Sequence, residues 1–183
     1  MTRLSLRDLL IGEMREVHYA EKQLLRIYPK LANAAVAEAV QRVCREGMEL
    51  TAECVQRLEA AFDLLQVPVR PQANEIVRLF SDAAQEVAAR KCSAEVKDAA
   101  ILALIRKLAH HGHACYGNIC GFADALQETD VSNLLGQCLA EKEEVILEVA
   151  GVAEQIVNPK AAADPQQGSA AAAESSLPRA ELS

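Results

Sequence analysis

Four long stretches of this chain place apolar residues at alternating spacings of three and four. Residues so spaced share one face of a helix, and this repeat narrows the fold to packed helices. Leu10, Met14, Val17, Glu21, Leu24, Tyr28 and Leu31 form one line. Val40, Val43, Gly47, Thr51, Cys54, Leu58, Ala61 and Leu65 form a second. A third runs through Ile101, Ile105, Leu108, Gly112, Cys115, Ile119, Phe122 and Leu126, and a fourth through Val131, Leu135, Cys138, Lys142, Val145, Val149 and Ile156. The composition agrees: 51% of residues are hydrophobic but only 3% aromatic, so Ala, Leu, Val and Ile supply the apolar mass.

The pattern predicts helices from about Leu6 to Ala35, Ala37 to Leu65, Ala73 to Arg90, Ser93 to Gln127, and from just after Asp130 to Ile156. Ser5 and Asp8 have the spacing of a capping box. Pro29 removes one backbone donor inside the first helix and should kink it. Val67-Pro68-Val69-Arg70-Pro71 breaks the pattern after the second. Two antiparallel hairpins joined by a longer crossover with a short helix make an all-α, ferritin-like four-helix bundle. Residues 1–157 belong to it. Residues 158–183 turn to Ala, Ser, Pro and Gln, a composition that buries too little apolar surface to order itself. They read as a disordered tail, in which Leu177 and Leu182 are the residues a docking peptide would use.

A net charge of −7 argues against nucleic acid and against anionic lipid. No apolar run approaches the roughly 18 residues of a membrane span, and Met1-Thr2-Arg3-Leu4 opens no signal peptide. The expected location is cytoplasmic. The six cysteines are then expected as free thiols. Cys44, Cys54, Cys115 and Cys138 lie on or near apolar lines, and Cys92 lies in a break between helices.

Two residues violate the pattern. Glu21 and Lys142 each stand at the centre of an apolar line, and buried charges must be paired or bound to metal. Glu21, Gly47, Gly112 and Lys142 come out central on the four long helices and fall in one middle zone. A di-metal carboxylate site in such a bundle needs a Glu from each of two helices and Glu-x-x-His from the others. The chain has no Glu-x-x-His. Glu13 and Glu46 lie nearer the edges of their lines, and Glu16, Glu53 and Glu148 point largely outward.

The order of local strings resembles a known family. Leu6-Arg7-Asp8-Leu9-Leu10 followed by Ala20-Glu21-Lys22-Gln23-Leu24-Leu25 is similar to the opening of the bacterial YciE/YciF proteins. Arg57-Leu58-Glu59-Ala60-Ala61-Phe62, Asp98-Ala99-Ala100, Tyr116-Gly117 and Leu134-Leu135 extend the likeness across about residues 4–157. The resemblance implies a stress-associated, five-helix ferritin-like protein that tends to dimerise and carries a di-metal site. Carried across, that site is degenerate here. Glu21 matches the acidic residue of the first helix. Gly47 stands where the family has His, and Leu50 where it has Glu. A Glu-His-Tyr-Glu run corresponds to Ala109-His110-His111-Gly112, so one His remains. An acidic pair on the last helix corresponds to Lys142 and Ile146.

The leading expectation is that the Lys142 ammonium pairs with Glu21 where metal would otherwise bind, with the glycines at 47 and 112 leaving room for the lysine stem or for water. Alternatively, Lys142 snorkels to the bundle edge and leaves Glu21 partly solvated. His110 and His113, at i, i+3, offer a second metal reading with a ligand from a partner subunit, against a plain polar face or dimer contact. His18 lies at the edge of its line and reads as a hydrogen-bonded boundary residue. Cys115 near His111 lacks the third group a thiol nucleophile needs. The sequence therefore points to a non-catalytic structural or interaction protein, homodimeric, without cofactor. Any protein partner would use the acidic surface or the tail. A metal-binding protein or a di-iron-type oxidoreductase is the competing reading.

Overall fold

Ser5 and Asp8 cap one another at the start of the first helix. The Ser5 hydroxyl accepts from the Asp8 amide at 3.1 Å, and the Asp8 carboxylate accepts from the Ser5 amide at 2.9 Å. In the computed structural model, residues 4–70 and 72–163 are described. They form α1 (Leu6–Ala34), α2 (Glu38–Leu64), α3 (Glu75–Ala89), α4 (Ala94–Ala125) and α5 (Thr129–Val152). A π-helical stretch (Ala153–Val157) then leads into the short α6 (Asn158–Ala162). Among the described residues there is no strand, and no helix is long and apolar enough to cross a membrane. Helix α1 continues through Pro29 to its expected end.

Tight turns pair α1 with α2 and α4 with α5. Long-range bonds fix how the hairpins meet. Arg7, at the start of α1, reaches the Leu65 carbonyl at the end of α2 and Glu128 at the start of α5. Asp98, at the start of α4, bonds the turn between α1 and α2. Helices α1 and α5 therefore run one way and α2 and α4 the other, and α3 lies on the crossover that returns the chain the length of the bundle. Side by side, α1 packs on α2 and α4, and α5 packs on the same two, so α1 and α5 face each other across a diagonal. Helix α3 rests on α1 and α4.

Helix ends use distant or unusual partners. Helix α2 has Ala37 at its N-cap and no side-chain cap of its own. Asp98 supplies one from α4, its two carboxylate oxygens accepting from the Val36 and Ala37 amides at 2.9 and 2.7 Å. Helices α2 and α4 end alike. Gln66 (φ 55°) and Gln127 (φ 61°) take the left-handed conformation usually left to glycine. The next amides, of Val67 and Glu128, reach back to the Phe62 and Ala123 carbonyls.

The apolar core falls into two blocks. One gathers Leu24, Ile27, Leu31, Val43, Ile101, Ile105 and Val149. The other gathers Leu10, Met14, Leu58, Phe62, Tyr116, Ile119 and Leu135. Two parts of the sequence pattern are corrected. On the second half of α4, Ala109, Tyr116 and Ala123 are buried, whereas Gly112, Cys115, Phe122 and Leu126 are only half-buried. Neighbouring α1, α3 and α5 cover more than one side of α4, so its apolar residues do not mark a single face. At the end of α5, Val157 is buried and Ile156 is 37% exposed. The π stretch spends five residues on the step from Val152, where α spacing would take four. The helix also carries on through Ala162 with Ala161 buried, past the boundary expected at residue 157. The rest of the expected tail, with Leu177 and Leu182, lies outside the described residues.

Candidate functional site: a polar layer at the centre of the bundle

Between the two apolar blocks lies a thin polar layer. Helix α1 brings Glu21 to it, and α5 brings Lys142 from the opposite corner. The Lys142 Nζ lies 2.9 Å from Glu21 Oε1 and 3.1 Å from Oε2, so the ammonium straddles the carboxylate. The two side chains are 5% and 2% exposed, which excludes snorkelling as the conformation seen here. The Tyr116 hydroxyl, from α4, donates to Glu21 Oε1 at 3.2 Å. Burial is the largest influence and disfavours the charged lysine, but the Glu21 carboxylate, together with Tyr28 and Cys54, outweighs it and Lys142 is held above its ordinary value. Burial likewise pushes the Tyr28 phenol up to about 12 and Tyr116 well up, and the Glu21 charge adds to both. Thr51, from α2, is also buried, and among the described residues its hydroxyl has no hydrogen-bond partner.

The two glycines behave differently. A Cβ on Gly112 would stand 3.3 Å from Lys142 Cε, so this glycine does leave room for the lysine stem. A Cβ on Gly47 would lie 2.7 Å from two carbons of the Tyr28 ring. The space at Gly47 is filled by an aromatic ring from α1, not by lysine or water.

The residues present do not fit a di-metal group. Gly47, Leu50, Ala109, Gly112 and Ile146 carry no donor atom on their side chains, and Tyr28 fills the room a ligand at position 47 would use. Glu21, the remaining carboxylate, has both oxygens engaged by Lys142. Of the other candidates, His110 is exposed and His113 half-buried, and among the described residues neither joins a cluster of three metal-ligating groups. His18 is buried and its Nε2 meets Glu59 Oε1 at 3.0 Å. Cys115 Sγ lies 3.8 Å from His111 Nε2 at the wall of a cleft between α1, α3 and α4. Burial pushes the Cys115 thiol up to about 11 and moves His111 down, so neither is disposed to form a thiolate–imidazolium pair.

A second cluster escaped the sequence reading. Cys54 of α2 and Cys138 of α5 are both fully buried. Their sulfurs and a Glu141 carboxylate oxygen all lie within 4.8 Å of one another. Arg57 donates to Glu141 at 2.5 Å and to Cys138 Sγ at 3.7 Å, and to Glu53 at 3.0 Å. Both cysteines stood on expected apolar lines. Their meeting depends on the stagger of α2 against α5, which spacing within one helix does not encode.

A four-helix bundle whose two core blocks are divided by a buried lysine–glutamate pair is thus the class to which the chain conforms. Residues 5–162 match the family described as DUF892, a domain of unknown function, and the chain belongs to that family. Protein YciF of Escherichia coli (strain K12) is 26% identical over 162 residues, spanning 88% of this chain and 98% of its own. The crystal structure of the Escherichia coli stress protein YciF superposes with a TM-score of 0.82 at 25% identity, covering 85% of this chain and 99% of that one. The structure of YcfI from Rhodopseudomonas palustris shares the fold, with a TM-score of 0.78 at 24% identity over 80% of this chain and 94% of that one.

Proposed function

We propose that this chain is a non-catalytic, ferritin-like structural protein whose di-metal site is degenerate, with the Lys142 ammonium in the place of the cations. The observation that carries the reading is the straddled contact of Lys142 on Glu21 in the buried centre of the bundle. Two dications need several negative ligands, and the buried layer at Glu21 offers one fully buried carboxylate, already matched by an ammonium. A lysine that neutralises Glu21 removes the electrostatic reason for a metal to enter. The Escherichia coli relative is described as a stress protein, and we extend that setting, a cytoplasmic location and a homodimeric state to this chain.

Protein purified from medium supplemented with iron and manganese tests the reading by elemental analysis. Metal well below one ion per chain, with an unchanged melting temperature in chelator, is the expected result. Stoichiometric metal that disappears in Glu21→Gln would overturn it in favour of a metal-binding protein or di-iron-type oxidoreductase.

A further inference from the structure

Cys54 and Cys138 differ from the other cysteines in having each other and a cation. They come from facing helices, α2 and α5, and their sulfurs lie within 4.8 Å. The Arg57 guanidinium donates to the Cys138 sulfur and to the carboxylate of Glu141. Cys54 in turn approaches Glu141 Oε2 at 3.8 Å. Three donors of this kind would ordinarily suggest a metal, but a guanidinium already sits on two of them, and a second cation would have to displace it. A positive charge beside a thiol favours a different chemistry, because the thiolate is the nucleophile.

We propose that Cys54 and Cys138 are a redox pair that a small hydroperoxide converts to a disulfide joining α2 to α5, with Cys138 as the attacking thiol and Arg57 as the group that positions and charges it. The hydrogen bond from Cys54 and then that from Arg57 hold the Cys138 thiol below its ordinary value, against the opposing effect of burial. The bond it gives to Cys138, together with burial, moves Cys54 the other way. The pair is thus divided into a sulfur that ionises and one that keeps its proton.

The steps balance. The Cys138 thiolate attacks one oxygen of hydrogen peroxide. An S–O bond forms, the O–O bond breaks, and the departing hydroxide leaves as water with the proton Cys138 gave up. The Cys54 sulfur then attacks the resulting sulfenic sulfur. The S–S bond forms, the S–O bond breaks, and the second hydroxide leaves as water with the Cys54 proton. Two electrons pass from the two thiols to one peroxide. Size follows from burial: both sulfurs are buried, and the side chains that contact them, Arg57 and Glu141, remain 19% and 23% exposed. Side-chain movement of that pair admits a molecule the size of peroxide.

The test treats the reduced protein with hydrogen peroxide and maps its peptides without reductant. A dithiothreitol-reversible cross-link between the Cys54 and Cys138 peptides is expected to form ahead of oxidation at Cys44. In Cys54→Ser, Cys138 should stop as a sulfenic acid that dimedone traps. Arg57→Met should slow cross-linking about tenfold while Arg57→Lys retains most of the rate. If Arg57→Met does not fold, the wild-type pH profile decides: the reaction should be half-maximal below pH 9.0, the ordinary thiol value. Cross-links that form only through other cysteines, a rate unchanged in folded Arg57→Met, or a half-maximum above that pH would each overturn the proposal.

Discussion

An ammonium and a carboxylate buried together are stable only while both are present. Removing one leaves the other without solvent or counter-charge, and that loss exceeds what the pair itself contributes. Lys142→Met should therefore lower unfolding stability by about 3 kcal/mol, read from the urea midpoint. The double variant Glu21→Gln/Lys142→Met leaves no orphan charge and should regain most of the loss. A double variant as unstable as the single one would show that Lys142 acts through packing alone. At this scale the sequence was informative wherever a residue broke its own pattern. Glu21 and Lys142 stood out because a charge at the centre of an apolar line has few physical explanations. Gly47 could be recognised as central, but not what fills it, because the Tyr28 ring arrives from another helix. Tyr116 was hidden for a related reason. Its hydroxyl bonds Glu21 from a helix whose apolar residues spread over more than one face.

The elements were legible nearly to the residue at their starts, where Ser5, Asn74 and Ser93 hold the first turns of α1, α3 and α4. Helices α2 and α5 have no side-chain cap of their own, and that of α2 comes from Asp98 on α4. Asp98→Ala leaves the Val36 and Ala37 amides without partners and should cost about 2 kcal/mol in thermal or urea unfolding. Asp98→Asn, which keeps one acceptor, should lose less. The opposite change is available at the ends of α2 and α4. Gln66 and Gln127 hold a left-handed backbone that disfavours any residue with a Cβ. Gln66→Gly and Gln127→Gly should each raise stability by about 1 kcal/mol, visible as a higher melting temperature. A fall in either variant would mean that the glutamine side chain makes a contact worth more than the backbone strain.

For the whole molecule, the hairpin arrangement could be read from helix lengths and breaks, whereas the diagonal that brings α1 to α5 could not, because it is a property of four helices at once. The same burial gives the bundle a characteristic response to alkali. Lys142, Tyr28, Tyr116 and Cys44 are all held above their ordinary values in the fold, with Tyr28 and Cys44 each at about 12. Each such group keeps its proton longer folded than unfolded. Its contribution is intact below the unfolded value and is lost as pH rises through the folded one. The unfolded chain begins to release these protons near pH 9.0 for the cysteine, 10.0 for the tyrosines and 10.5 for the lysine. Stability measured by urea unfolding should therefore fall from about pH 9 upward. Lys142→Met should show a shallower decline above pH 10.5.

The widened turn at Ala153–Val157 has a consequence for the end of the chain. It ends two residues before Pro159, which has no amide hydrogen with which to close a four-residue turn. Asn158 instead sends its amide back five residues, to the Ala153 carbonyl. That one surplus residue works like a slipped tooth in a gear: everything after it is indexed forward, Val157 and Ala161 swing inward, and Ile156 is left on the outside as the visible trace of the slip.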